Sequence, residues 1–264
     1  MTVDGAVRKP SYRLKGGEAI AAEIEPPAAP AGPQPEDIPL AVLHADADII
    51  VLDKPSGLVV HPGAGARSGT LVNALLARFP GLADLARDDR PGIVHRLDKE
   101  TSGVMVVARS ARAEAELKRQ FKDRVVKKAY LALAWGRMRA PAGTFSWAIG
   151  RHPRHGERMS IRTDHPRSAL TEYTVVRAYR EFSLLEVRPL TGRTHQIRVH
   201  LAAAGHPIAG DGRYGQGRNA RRRFPRLFLH AARLSFLHPA TGERVEFAAP
   251  LPAELQVLLD SLEA

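Results

Sequence analysis

Apolar and polar positions along this chain fall into short blocks of two different periods. Ile49–Leu52 is an unbroken apolar run closed by Asp53-Lys54-Pro55, the pattern of a buried strand feeding a loop. Val104–Ala108 is a second such run. Ala129–Trp135 alternates instead, with Leu131, Leu133 and Trp135 on one face and Tyr130, Ala132 and Ala134 on the other, so Tyr130 shares its face with small residues and has room above it. Glu172–Ala178 and Phe182–Arg188 also alternate and lie close enough in sequence for a hairpin.

Between these blocks the spacing becomes helical. Leu71, Leu75 and Phe79 predict a helix over Thr70–Phe79, stopped by Pro80-Gly81. Ser110 is placed to cap a second helix carrying Ala113, Leu117 and Phe121 on one stripe and a Glu114–Lys118 pair on its surface. Thr194–Ala204 has Ile197, Leu201 and Ala204 at helical spacing, with Thr194 as a candidate cap and Gly205 as the stop. Leu255, Leu258, Leu259 and Leu262 follow Pro252 in the same way. Hairpin spacing without regular βαβ units predicts an α+β fold, with a mixed, mainly antiparallel central sheet and flanking helices and loops.

Composition divides the chain. Residues 1–24 are basic, broken by glycine and proline, and too poor in apolar residues for a core. Residues 25–38 carry Pro26, Pro27, Pro30, Pro33 and Pro35 and read as an extended linker. Residues 39–264 form the main domain.

The chain has 264 residues, 44% of them hydrophobic, enough for a packed core. No apolar run is long enough for a membrane helix and no signal-peptide segment is visible, so a cytoplasmic protein without a membrane partner is expected. The absence of cysteine removes thiol chemistry and thiolate metal sites. A net charge of +11, dominated by arginine, points toward nucleic acid, because the guanidinium binds phosphate bidentately and stacks on bases.

Four polar clusters interrupt the framework, and each has a plain structural reading beside a functional one. In His95-Arg96-Leu97-Asp98-Lys99-Glu100-Thr101-Ser102-Gly103, Asp98 is either a loop carboxylate paired for packing or a nucleophile kept ionised by neighbouring cations. Tyr130 is either core or a ring that stacks on an extruded base. In Gly192-Arg193-Thr194-His195-Gln196-Ile197-Arg198, Arg193 precedes a helix N-terminus, which makes sense if a carboxylate or phosphate sits there too; the alternative is a solvated arginine. Gly210-Asp211-Gly212-Arg213-Tyr214-Gly215 matches no phosphate-binding pattern and reads as a tight turn. The spacing of His195 and His200 splits them across a helix, and neither they nor His152 and His155 suggest a metal site. Arg221, Arg222 and Arg223 beside Phe224 suit either a solvated loop or a nucleic-acid backbone.

Together, HRLDKETSG and the later GRTHQIRVH resemble the pseudouridine synthase family typified by the ribosomal large-subunit enzymes A, C and D, over roughly residues 38–250. Residues 34–40, Asp53-Lys54-Pro55 and Val59-Val60-His61-Pro62-Gly63 resemble the D-type members most. The resemblance implies a cofactor-free, metal-free isomerase that turns specific uridines of RNA, large-subunit (23S) rRNA foremost, into pseudouridine with base flipping. It assigns Asp98, Tyr130 and Arg193 to catalysis, Arg193 as the partner that orients Asp98 and holds it ionised. Whether Asp98 attacks covalently or assists proton removal from the sugar stays open. Arg96 is implied to enter the RNA stack where the uridine left. The expected RNA contacts are Arg96, His95, Lys99, Arg198, Arg221, Arg222 and Arg223, in a monomer. Relatives carry an N-terminal S4 RNA-binding domain, and residues 3–18 resemble only its final strands. RNA binding through residues 1–24 is therefore not expected, whether the fold is truncated or the start lies further upstream. Glu100 stands where the family motif commonly has Asp. The rivals are a non-catalytic ribosome-assembly factor and a base-releasing glycosylase.

Overall fold

A computed structural model describes residues 2–9, 11–22, 32–63, 66–85, 90–215, 217 and 224–262. The chain forms two compact units, Met1–Gly32 and Pro33–Ala264. The first is a small antiparallel sheet of β1 (Thr2–Val3), β2 (Ala6–Val7) and β3 (Ile20–Ala21), in the order β2-β1-β3. Asp4 and Gly5 turn the chain at positive φ, and the Asp4 carboxylate accepts the Ala19 N–H at 2.9 Å. Val3 is the one buried apolar residue among those described there.

The second unit is built on one nine-stranded sheet. Its strands are β4 (Ala41–Ala45), β5 (Ile49–Lys54), β6 (Ser102–Ala108), β7 (Lys127–Trp135), β8 (Ala142–Phe145), β11 (Thr171–Ala178), β12 (Phe182–Pro189), β13 (Leu229–Leu237) and β14 (Arg244–Ala248). A separate hairpin pairs β9 (Gly150–Arg151) with β10 (Met159–Ser160). The order is β4-β5-β6-β13-β7-β12-β11-β8, with β14 on β13, and the strand pairings are antiparallel except β6 with β13. The sheet is therefore mixed and mainly antiparallel, as the alternating segments predict, with β11 and β12 as the expected hairpin.

Strands β5 and β6 are covered on both faces, which explains their unbroken apolar runs. Helix α1 (Leu71–Arg78) covers Ile50, Leu52, Met105 and Val107. Helix α2 (Ala111–Lys122) covers Ile49, Val51, Val104 and Val106 with Ala113 and Leu117. Each of the buried Val, Leu, Ile and Met side chains here contributes about 1.5–3 kcal/mol by leaving water. Ser110 caps α2 by accepting the Ala113 N–H at 3.1 Å, and the Glu114–Lys118 ion pair lies on its surface. Thr70 caps α1, with Asn73 returning the bond to the Thr70 N–H at 3.0 Å. Helices α3 (Gln196–Ala203) and α4 (Ala253–Asp260) pack Ile197, Leu201, Leu255, Leu258 and Leu259 into the core beneath β7 and β12.

Two local expectations are corrected. Residues 34–38, whose composition suggests a linker, are docked on the second unit: the Asn73 amide donates to the Gln34 carbonyl at 2.6 Å, and Glu36 accepts the Gly69 N–H. Extended proline-rich backbone offers free carbonyls, and a buried Asn takes one of them. Residues 25–31 of that stretch lie outside the described residues. Thr194 does not cap α3. His195 occupies the cap position with φ 56° and makes no side-chain cap bond. Buried Gln196 organises the turn instead, accepting from the Thr191 hydroxyl and the Arg193 N–H and donating to the Leu170 carbonyl.

Candidate active site

The loop carrying Asp98 connects into β6, and its shape is imposed from the end of β5. Lys54 is 0% exposed and donates from Nζ to the carbonyls of Pro55, Leu58 and Lys99, at 2.8, 2.9 and 3.2 Å. The Gly57 N–H also donates to the Lys99 carbonyl, and the Ser56 hydroxyl to that of Glu100. Burial holds the Lys54 ammonium down to about 8, against the opposing pull of the Asp98 charge. Leu97 anchors the loop in the core, and Gly103 lets β6 lie close beside its parallel partner β13, because a Cβ there would lie 2.2 Å from the Ala231 carbonyl oxygen.

The Asp98 side chain is 18% exposed and faces α3. Its carboxylate lies 3.4 Å from Arg198 Nη1 and 3.9 Å from His195 Nε2. Arg198 is 4% exposed, and Asp211 grips it with two parallel bonds: Nε to Oδ2 at 2.8 Å and Nη2 to Oδ1 at 2.9 Å. Burial works against the Arg198 charge, but the bonds and charge of Asp211, followed by Asp98 and Glu100, outweigh it and raise the guanidinium above its ordinary value. Asp211 is 0% exposed and is lowered despite its burial, since Arg198 and the N–H groups of Tyr214 and Arg213 all favour its charged form. A fixed guanidinium thus presents one remaining nitrogen to Asp98.

His195 flanks the same carboxylate. Its Nδ1 lies 2.9 Å from the Tyr214 hydroxyl, whose oxygen accepts the Met159 N–H at 3.0 Å. That bond leaves the Tyr214 proton free to point at Nδ1, which puts the imidazole proton on Nε2, toward Asp98. Burial lowers the imidazole below its usual range, with Asp98 pulling the other way.

Asp98 stands where two hollows meet. One, of about 520 Å³, is lined by Tyr130, Leu229, Arg96, Lys128 and Arg193. The other, about 950 Å³, is lined by His61, Lys99, Glu100, Arg158 and Arg213. Both lie within the ~300–1,000 Å³ of small-ligand sites. Tyr130 sits on β7 between Val187 and Ala231, and its hydroxyl is pushed well above its ordinary value, by burial first and the Asp98 charge second, so it stays protonated.

A family model described as RNA pseudouridylate synthase matches residues 48–203. The chain belongs to the RNA pseudouridylate synthase family. It is 45% identical to a Xanthomonas campestris protein named ribosomal large subunit pseudouridine synthase D, over 98% of this chain and 80% of that one. An Escherichia coli protein of the same name is 42% identical, over 97% of this chain and 80% of its own length. Among solved structures, a human RNA pseudouridylate synthase domain-containing protein superposes with a TM-score of 0.66 at 33% identity, covering 86% of this chain and 95% of that one. Members of this family are isomerases acting on RNA.

Within this pseudouridylate synthase the structure rearranges the expected roles. Arg193 does not pair with Asp98: its Nε donates to the Ser168 carbonyl at 3.0 Å, and Arg198 takes the place by the carboxylate. The positive φ at His195 starts the helix after Arg193, so the first helical turn carries Arg198 toward Asp98 and leaves Arg193 on the preceding turn. Arg198 is 4% exposed and engaged by Asp211 and Asp98, so it stands behind the Asp98 carboxylate and not with the exposed residues expected to touch RNA. His95 is corrected as well. Its ring stacks on Phe121, Nε2 accepts the Val106 N–H at 3.0 Å, and burial, followed by Lys128, lowers it to about 3, so it is a neutral packed ring without the charge to bind phosphate. Arg96 and Lys99 are exposed beside the hollows. Arg221, Arg222 and Arg223 lie outside the described residues. Lys54, Asp211, His195 and Tyr214 join the site without having been assigned to it from the sequence. The signal for Asp211 was the acid inside a glycine-rich turn, where its side chain and two N–H groups fold onto one point.

Proposed function

We propose that this chain isomerises uridines of large-subunit ribosomal RNA to pseudouridine, with Asp98 as the catalytic carboxylate acting on a flipped nucleotide. The observation that carries the reading is the arrangement at Asp98: a partly exposed carboxylate fixed by Arg198 beside the Tyr130 hollow. The names of the relatives support the choice of RNA.

The N1–C1′ bond of uridine breaks, the uracil turns, C5 bonds to C1′, and the proton displaced from C5 is balanced by one gained at N1. The product is an isomer, so the stoichiometry calls for no oxidant, metal or group donor. Asp98 acts at the sugar, as nucleophile at C1′ or as acceptor of a sugar proton. Arg198 orients it through a charge-assisted contact and is itself immobilised by Asp211. Protonated Tyr130 stacks beside the uracil, and its hydroxyl relays the C5 proton by passing its own proton on as it accepts that one. Arg96, exposed next to Asp98, fills the gap in the RNA stack and offsets an extrusion cost of a few kcal/mol. Residues 3–18 belong to the strand portion of an S4-like RNA-binding domain, and the enzyme works as a cytoplasmic monomer.

Purified protein incubated with unmodified large-subunit rRNA tests this. Pseudouridine should form, and Asp98→Asn should abolish it while leaving RNA binding nearly intact. Substantial turnover by the variant rejects the role of Asp98. Release of free uracil identifies a glycosylase instead, and binding without any product identifies an assembly factor.

A further inference from the structure

Six Lys or Arg side chains line the 520 Å³ hollow, against the single carboxylate of Asp98. Arg198 is neutralised by Asp211, but the rim is not matched in this way. Arg124 and Arg193 both line it, and the bond from Arg193 Nε to the Ser168 carbonyl brings Arg193 beside Arg167. Among the described residues none of these three arginines is in an ion pair with a carboxylate. Burial, then the charges of Arg167 and Arg124, lower the Arg193 guanidinium from its ordinary value, as like charges do when no anion separates them.

Two further features fit a ligand there. Arg124 holds φ 61° just beyond α2, a conformation for which glycine or asparagine is the unstrained choice. Arg193 has its fork oriented through Nε, and among the described residues its terminal nitrogens have no hydrogen-bond partner. A pre-aimed guanidinium whose two terminal nitrogens form one free edge matches two oxygens of a phosphodiester.

We propose that Arg124, Arg167 and Arg193 form a clamp for one backbone phosphodiester of the RNA strand, at the rim of the hollow in which Asp98 and Tyr130 hold the target nucleotide. The proposal deepens the RNA pseudouridine synthase reading given above and rests on it. The clamp fixes the strand at a point away from the reacting bond, so its loss weakens binding more than chemistry.

The test measures the affinity of unmodified large-subunit rRNA as a function of salt, together with pseudouridine formation, for the wild type, Arg124→Asn, Arg193→Gln and the triple variant Arg124→Asn/Arg167→Gln/Arg193→Gln. Asn is at home at the positive φ of position 124, so that variant keeps the fold. Because the three residues share one phosphate, the triple variant should lose about 0.7 from the slope of log affinity against log salt, the value for one single-strand phosphate, and not three times as much. The KM should rise about tenfold, with a smaller loss in kcat, an expectation of order set by one lost charge-assisted contact. Arg193→Lys, which keeps the charge, should recover part of the slope. Wild-type slope and KM in all the variants overturn the clamp. If the wild type makes pseudouridine and the variants match it, the clamp alone falls; if the wild type makes none but the slope still drops, the clamp stands and the catalytic reading falls.

Discussion

Arg198 and Arg193 belong to one short motif and carry the same charge, yet they stand in opposite surroundings. Arg198 is 4% exposed and saturated by Asp211, Asp98 and Glu100, whereas Arg193 lies at the rim of a hollow beside two further arginines. The buried guanidinium is a fixture whose charge is already spent on protein carboxylates; the rim guanidinium is oriented but unneutralised. The contrast teaches that an arginine's role in such a site follows from which carboxylates the fold brings to it, and not from its place in a motif.

The largest effect expected from breaking this contrast is at the buried end. Asp211→Asn removes the anion that compensates a desolvated guanidinium, and breaking a buried pair in this way costs about 3–5 kcal/mol. Chemical denaturation should show a loss of that order. Arg193→Gln sacrifices one hydrogen bond to a carbonyl, about 0.5–1.5 kcal/mol, in the same experiment. Equal losses for the two variants would erase the distinction drawn between them.

A smaller effect concerns His95, the histidine that opens the Asp98 motif. Its folded pKa of about 3 lies below the ordinary value of 6.5, with burial as the main cause. The unfolded chain therefore binds a proton below about 6.5 that the folded chain refuses, and the stability from this group, complete above that pH, drains away as pH falls toward 3. Thermal melts between pH 7.5 and 5 should fall less steeply for His95→Gln, which retains an acceptor for the Val106 N–H. Parallel curves would mean that the ring is not held neutral.

The periodic elements and the Asp98 motif were legible because their signals are local. Apolar runs marked β5 and β6, helical spacing and Ser110 marked α2, and alternation marked the β11–β12 hairpin. The choice between Arg193 and Arg198 was not legible, since it depends on the left-handed backbone at His195, which no apolar pattern encodes. Asp211 was hidden for another reason. Its turn looks ordinary until α3 delivers Arg198 to it across the fold. Lys54 likewise reads as the polar end of a strand, and only the packed loop shows that its ammonium is enclosed by three carbonyls.

The most direct measurement of the central claim is single-turnover pseudouridine formation at saturating RNA by Arg198→Lys and Arg193→Lys, both confirmed folded by near-ultraviolet circular dichroism. Lysine at 198 keeps the charge but loses the fork that Asp211 fixes, and misplacing a catalytic group by about 1 Å costs on the order of a hundredfold in rate. The account predicts a loss of that size for Arg198→Lys and less than about tenfold for Arg193→Lys. The reverse order would contradict it and return the orientation of Asp98 to Arg193.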